Sequence, residues 1–592
     1  MAATSTGSSG GRPMIMGTHA VVSSGHYLAT EAGLEILRRG GNAFDAAAAV
    51  GFALAVVKPQ ENGFGGEAPT LVYSARERKV HAVSGHGTAP AAATIQLFRE
   101  LGIDMIPGDG FLAAVVPCVP ATWILVLERF GTMRLADVLA PAIGLAGGGF
   151  PVYDGLRESI SGAAERFRNE WPSSAEVFTP GGRVPECGAI WRNPALARTL
   201  KRLARAEGRF RKRKDGLRAA HDEFYRGPIA EAIVKFARNT AVKDASGKSH
   251  TCLLTVEDFN RYQAQVEKPV SVRYRGVNVY KCSSWTQGPV MLQALTLLEG
   301  YNLRDMGLNS ADYIHTVTEC MKLAFADREF CYGDPDFVRV PFRRLLSRAY
   351  ARERRHLVDA GRASMDLRPG GMPAIRPKSV LDVDAEFAKR TAAKGGRCGD
   401  TTKLEVIDAA GNMVSTTPSG GWHPSSPVIP GLGFPLGTRA QMFSLVEGHP
   451  NCLKPGKRPR TTLTPTLSIA GNGTGMAFGS PGGDAQDQWA LQFFLNVVEF
   501  GMSLQEAVEA PTFWTDHFPS SFYPRTADPG SLNIEKRIPA AVIDELKSRG
   551  HVAWPYPEWS GGNTHAASFD PKTKVLSAAA TPRDEPSYAA GW

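Results

Sequence analysis

The stretch Gly399-Asp400-Thr401-Thr402-Lys403-Leu404-Glu405-Val406-Ile407 divides the chain into two unlike parts. Before it, residues 354–397 are rich in Arg, Lys, Pro and Gly and weakly periodic, which predicts a loose connection. After it, Thr401–Ile407 and Met413–Thr417 read as two strands around the turn Asp408-Ala409-Ala410-Gly411-Asn412, a hairpin signal. No other boundary in the sequence is as informative.

Working outward, helices and strands alternate. Thr30–Arg39 predicts a helix stopped by Gly40-Gly41. Asn42, with Asp45 three residues on, can cap a second helix over Ala43–Val57. That helix is apolar nearly all round, so it is expected to be buried between layers. Val270, Val272 and Tyr274 alternate as a half-buried strand that Asn278–Tyr280 extends. Ser310 can cap a helix placing Ile314, Val317, Met321 and Phe325 on one face.

Composition excludes several classes. With 592 residues, 43% hydrophobic and 21% charged, the chain is globular in character and long enough for about two to four domains. Its 62 Gly and 41 Pro show no three-residue period. No stretch reaches the roughly 20 apolar residues of a membrane helix. The net charge of +9 is diffuse for a nucleic-acid binder. Its one dense cluster, Arg209, Arg211, Lys212, Arg213 and Lys214, reads as a solvated loop between a helix-like stretch (195–206) and the polar segment 215–222. Eight cysteines without a C-x-x-C pair argue against structural zinc and a disulfide framework. With no secretory signal visible, the expected location is cytoplasmic and reducing. The first 16 residues are expected to be a disordered tail.

Gly41-Asn-Ala-Phe-Asp-Ala-Ala-Ala-Ala-Val50 with Gly63-Phe-Gly-Gly66 resembles the γ-glutamyltransferase family of N-terminal-nucleophile hydrolases. So do Ala326-Asp-Arg328 with Gly333-Asp-Pro-Asp-Phe337, Gly399-Asp-Thr-Thr402, Gly479-Ser-Pro-Gly-Gly483, and the tail Ala580-Thr-Pro-Arg583 and Ala590-Gly-Trp592. These motifs keep the family's order from about Gly17 to the end. The resemblance implies an α/β (α+β) fold, a four-layer αββα sandwich with two stacked sheets. It also implies a proenzyme cut between Asp400 and Thr401 into a large part, 17–400 behind its tail, and a small part, 401–592, which stay associated.

The implied chemistry needs these residue types. A threonine hydroxyl is a weak nucleophile without a base beside it. Cleavage at Thr401 would free an α-amine with a pKa of about 7.7–8.0, able to act as that base. Gly482-Gly483 can present two backbone N–H groups to an oxyanion. The resemblance places Thr417 and Ser419 where hydroxyls orient the nucleophile, with Ser419 standing where threonine is usual. It places Thr461-Thr462 at a hydroxyl pair that holds the acyl group.

The departures concern substrate. Family members clamp the substrate α-carboxylate with an arginine; here Ser84-Gly-His-Gly-Thr-Ala-Pro90 puts His86 in its place. The family asparagine two residues past Ser419 is Gly421. In Gly437-Thr-Arg-Ala-Gln-Met-Phe443, Gln441 or Met442 falls near the expected aspartate, and Arg439 is a new cation. Arg439 either binds an acidic substrate or lies on the surface. Aromatic residues of 81–98, 283–288 and Trp422-His423 are candidates for a different acyl pocket, and His423 is either a substrate contact or a structural hydrogen-bonder. The segment 445–457 is too short for an extended lid.

The sequence therefore points to an autoprocessed threonine amidohydrolase or acyltransferase with a small-molecule amide substrate and water or an amine as acceptor. Its alternatives are an authentic glutathione hydrolase or γ-glutamyltransferase and, more remotely, a non-catalytic scaffold or a basic nucleic-acid-binding protein. No cofactor, metal, nucleic-acid or membrane partner is expected.

Overall fold

Backbone pairing gathers fourteen strands into two antiparallel sheets in the computed structural model, which describes residues 11–371 and 401–592. In chain order these strands are β1 (Ile15–Gly17), β2 (Ala20–Ser24), β3 (Thr70–Ser74), β4 (Lys79–Val83), β5 (Val266–Glu267), β6 (Val270–Tyr274) and β7 (Val277–Lys281). They continue with β8 (Leu404–Asp408), β9 (Met413–Thr416), β10 (Thr466–Ala470), β11 (Gly475–Gly479), β12 (His565–Phe569), β13 (Leu576–Ala580) and β14 (Tyr588–Gly591). One sheet runs β1-β13-β12-β11-β10-β7-β6; the other runs β14-β2-β8-β9-β3-β4-β5. A smaller sheet pairs Phe513–Trp514 with Ser531–Glu535, and the latter, in parallel, with Val552–Tyr556.

Three apolar clusters show how the sheets pack. Val21, Leu71 and Ala82 of one sheet meet Leu467, Ala477 and Leu576 of the other between their inner faces. The outer face of the β8 sheet is covered by helices including Ala43–Val57, whose every residue is buried. The outer face of the β11 sheet is covered by Pro289–Leu298, Ala311–Cys331 and Gln486–Val498.

Local chemistry explains the elements. Asn42 Oδ1 accepts from the amides of Phe44 and Asp45, and an Asp45 carboxylate oxygen accepts from Asn42 N, so the expected capping box forms. Ser310 Oγ caps its helix at Tyr313 N. That helix is buried around most of its circumference rather than along one face. The hairpin pairs Leu404 with Thr416 and Ile407 with Met413.

Four expectations are revised. Asn278–Tyr280 does not extend β6. The chain reverses at Arg275-Gly276, both at positive φ (46° and 87°), so Asn278 lies opposite Arg273. Ile15 and Met16, placed in the tail, pair with Ala578 and Ser577; residues 1–10 lie outside the described residues. The loose connection is ordered at its start, where Gly370 N donates to Asp327 Oδ1 at 2.8 Å and Arg368 to Glu319 at 2.8 Å. Its remainder, with Cys398 and Asp400, lies outside the described residues. In the basic cluster, Arg213 and Lys214 begin a helix, Arg213–Tyr225, and Arg213 donates to the carbonyls of Met133 and Leu127 at 2.7 and 2.6 Å. The seven described cysteines are unpaired, and no described helix is long and apolar enough to cross a membrane.

Candidate active site

Thr401 stands three residues before β8, 1% exposed, and forms a bridge to Ser419 just beyond β9. Its Oγ1 lies 3.1 Å from Ser419 Oγ. Ser419 also exchanges backbone hydrogen bonds with Glu67, its N donating to Glu67 O at 3.0 Å and its O accepting from Glu67 N at 2.8 Å. This crossing needs glycine at 66, where an added Cβ would lie 2.2 Å from Ser419 O. The Gly63–Gly66 motif thus brings Glu67 against Ser419, the residue that faces the expected nucleophile.

Arg439 completes the arrangement. It is 1% exposed, which excludes the surface reading. Its Nε donates to the Glu67 carboxylate and its Nη2 donates to Ser419 Oγ at 2.8 Å. The guanidinium lies over the rings of Trp422 and Phe522, at 5.2 and 5.6 Å. Nη1 is buried with no partner among the described residues. Ser419 Oγ thus accepts from Arg439 while lying beside Thr401 Oγ1, and either hydroxyl can donate across that contact.

The glycine pair follows β11. Gly482 and Gly483 have φ of 124° and 55°, a shape open to glycine, and a Cβ on Gly482 would sit 2.2 Å from the Trp489 ring. Neither N–H donates to an acceptor among the described residues. Phe522 packs at Gly483, where a Cβ would meet its ring at 3.2 Å. The Pro519–Arg525 segment thus packs against this turn through Phe522.

The other expected residues divide. Thr417 Oγ1 and Thr462 Oγ1 are buried without partners among the described residues. Thr461 Oγ1 accepts from Leu463 N at 3.3 Å, and its N donates to Trp285 O at 2.9 Å. His86 Nε2 faces Pro459 O at 2.7 Å and must donate to it, leaving Nδ1 as an acceptor. Burial, with the Arg439 and Arg458 charges, lowers the His86 pKa to about 3. His86 is thus neutral and offers no cation to a carboxylate. Gln441 is engaged at both ends, Nε2 donating to Gly108 O at 2.9 Å and Oε1 accepting from Tyr523 N at 3.2 Å. Met442 is buried, and its carbonyl accepts from Asn451 and Arg525. Neither residue holds a charge for a substrate ammonium. His423 belongs to the packing, its Nε2 2.9 Å from Ser159 Oγ and its ring against Phe167 and Phe178.

Sequence reasoning missed Glu67, Lys403 and Glu405. Lys403 Nζ meets Glu405 at 2.5 Å, Ser415 Oγ at 2.8 Å and Thr416 O at 3.1 Å, all buried between the sheets. Burial lowers the Lys403 pKa and raises that of Glu405 to about 8. Their signal was a lysine and a glutamate two apart on one strand face, a spacing that also fits a solvated face. Among the described residues no His, Cys, Asp and Glu group could hold a metal.

Comparison with known proteins agrees with this architecture. The family model for gamma-glutamyltranspeptidase matches residues 29–591. Acylase ACY 1 proenzyme of Pseudomonas sp. (strain SE83) is 33% identical over 577 residues, covering 95% of this chain and 92% of that protein. Glutathione hydrolase-like YwrD proenzyme of Bacillus subtilis (strain 168) is 31% identical over 545 residues, covering 91% and 92%. The solved structure of LmbA2991HD matches with TM-score 0.92 and 44% identity over 98% of this chain and 99% of that one. Cephalosporin acylase from Bacillus halodurans matches with TM-score 0.82 and 29% identity over 100% and 99%. The chain belongs to the gamma-glutamyltranspeptidase family and is an enzyme of the hydrolase type found there.

Proposed function

We propose that this chain is an autoprocessed threonine amidohydrolase whose acyl substrate need not carry a γ-glutamyl head. The observation that carries the reading is the buried line Glu67–Arg439–Ser419–Thr401, which fixes the Ser419 hydroxyl beside the Thr401 oxygen. The helix–sheet–sheet–helix packing supports the four-layer sandwich that the resemblance implies. The acylase, glutathione hydrolase and amidohydrolase names of relatives support amide cleavage.

Cleavage between Asp400 and Thr401 would give fragments of 400 and 192 residues. They would stay together, because β8, β9 and β14 of the small part alternate with β2 and β3 of the large part in one sheet. The new Thr401 α-amine takes the hydroxyl proton as Oγ attacks the amide carbon. The tetrahedral oxyanion receives the Gly482 and Gly483 N–H groups, and losing one such donor typically raises the barrier by about 3–4 kcal/mol. The α-ammonium then protonates the leaving amine, leaving an ester on Thr401. Water, or an acceptor amine, opens that ester by the same sequence.

The substrate reading rests on the replaced head-group partners. His86 is neutral, and Gln441 and Met442 carry no charge. A second reading, glutathione hydrolase, has one observation in its favour: the Glu67–Arg439 pair combines the two charges complementary to an α-amino-acid head.

One assay separates these readings. Amine release is followed from a γ-glutamyl anilide and from a glutaryl anilide, which lacks the α-amine, with and without a dipeptide acceptor. Mass spectrometry should show both fragments in the wild type and one full-length chain in Thr401→Ala. The glutaryl compound should turn over the faster, only in the cleaved protein. Faster γ-glutamyl release would reverse the substrate assignment, and an uncut wild type would remove the cleavage step.

A further inference from the structure

The motif Ala326-Asp327-Arg328 lies far from Thr401 in sequence, yet Arg328 is one of the largest fully buried side chains. We propose that Arg328 is a positioning residue that holds the Gly482-Gly483 turn in its oxyanion-binding shape. This rests on the amidohydrolase reading above.

Arg328 projects from the Ala311–Cys331 helix, its guanidinium over Phe325 and Phe518 at 4.6 and 4.9 Å. Its Nε and Nη2 both meet Glu329 Oε1, at 2.9 and 2.7 Å, and the outer nitrogens reach further partners. Nη1 donates to the Asp484 carboxylate and to Gln287 Oε1 at 2.8 Å. Nη2 donates to Pro519 O at 3.1 Å. These three partners belong to three separate segments of the chain.

Asp484 directly follows Gly483, and its carboxylate also accepts from Ser521 N at 2.8 Å and Ser521 Oγ at 2.7 Å. Pro519 and Ser521 lead to Phe522, the ring against Gly483. Gln287 N donates to Thr461 O at 2.8 Å, so the same guanidinium reaches the Thr461-Thr462 run. A planar fork can serve three directions at once, which a lysine ammonium on a flexible stem does not reproduce. The glycine pair has no side chains to fix its own conformation, so its shape must be imposed by neighbours.

Charge gives Arg328 a second task. The Asp484 carboxylate adjoins the turn where negative charge develops during reaction. Paired with Arg328 it is neutralised; unpaired, it would oppose the oxyanion. Removing the cation therefore harms the transition state more than it harms substrate binding.

The test compares Arg328→Lys, Arg328→Met, Asp484→Asn and the Arg328→Met/Asp484→Asn pair as cleaved enzymes, with melting temperatures measured alongside. We expect Arg328→Met to lower kcat by about 100-fold with KM within about threefold, a split that marks transition-state loss. Adding Asp484→Asn should recover about tenfold, because it removes the unpaired anion. Arg328→Lys should fall between. Equal kcat in wild type and Arg328→Met would overturn the proposal. So would a double variant no better than Arg328→Met, which is what a merely structural role gives.

Sulfonylation of Thr401 by phenylmethanesulfonyl fluoride, located by mass spectrometry, keeps the two proposals apart. A wild type that is sulfonylated but inactive on anilides sinks the substrate reading alone. The clamp then stands if Arg328→Met is sulfonylated at least about tenfold more slowly, and falls if the rates match. A wild type that is neither labelled nor active sinks both. If Arg328→Met does not fold, Asp484→Asn carries the comparison, with kcat expected to fall at unchanged KM.

Discussion

Arg439 shows what one residue discloses before its neighbours are known. Its position in Gly437–Phe443 was readable, and so was its strangeness there as a cation. Its partner was not, because Glu67 lies 372 residues earlier. The available signal was a lone acid closing the run Gly63-Phe-Gly-Gly66-Glu67. His86 was legible as a loss of charge, and the structure adds the reason: its Nε2 is held by a carbonyl and its pKa is lowered to about 3 by burial. Because Glu67 and Arg439 are both about 1% exposed, deleting one leaves a buried unpaired charge. Arg439→Met should therefore destabilise the protein by about 3–5 kcal/mol in denaturant unfolding. Adding Glu67→Gln should return a large part of that loss while activity stays low, since the Arg439 contact to Ser419 is still missing. A double variant no more stable than Arg439→Met would show that the pair is not the source of the effect.

At the scale of elements, the sequence was most legible where a local rule decides the outcome. The Asn42–Asp45 box and the Leu404–Thr416 hairpin form because their hydrogen bonds join near neighbours. The reversal at Arg275-Gly276 was missed because arginine at positive φ is uncommon and masks a two-residue turn. Asp45 also does work that no local rule reveals. Beyond its cap, its carboxylate accepts from Thr132 N at 2.9 Å, Thr132 Oγ1 at 2.7 Å and Met133 N at 3.1 Å. It thereby ties the Ala43–Val57 helix to the segment following Val119–Phe130. Asp45→Ala should cost about 3 kcal/mol, more than the roughly 1 kcal/mol of an ordinary cap. Asp45→Asn should lose less, since an amide oxygen can still accept. Chemical denaturation of the three proteins checks both values, and a loss no larger than a cap's would remove the tertiary role.

Across the whole molecule, the large core does something that composition hides: it buries neutral histidines. His26, His86, His423 and His517 each have the pKa lowered to about 3 from an ordinary 6.5, burial being the largest cause in every case. Unfolding exposes these rings to water, where they take up protons near their ordinary pKa. Between pH 6.5 and 3 the unfolded chain binds more protons than the folded one, so stability falls as pH falls through this window. Above pH 6.5 both states are neutral and these groups contribute no slope. At pH 5 each ring should remove about 2 kcal/mol relative to pH 8. His423 offers the cleanest test, because burial alone shifts it. Measured in Thr401→Ala protein verified by mass spectrometry to be one full-length chain, stability should drop steeply below pH 6.5. Adding His423→Gln should make that drop shallower by about one proton, or about 2 kcal/mol at pH 5. The same slope with and without His423 would mean that this ring is charged, or already hydrated, in the folded protein.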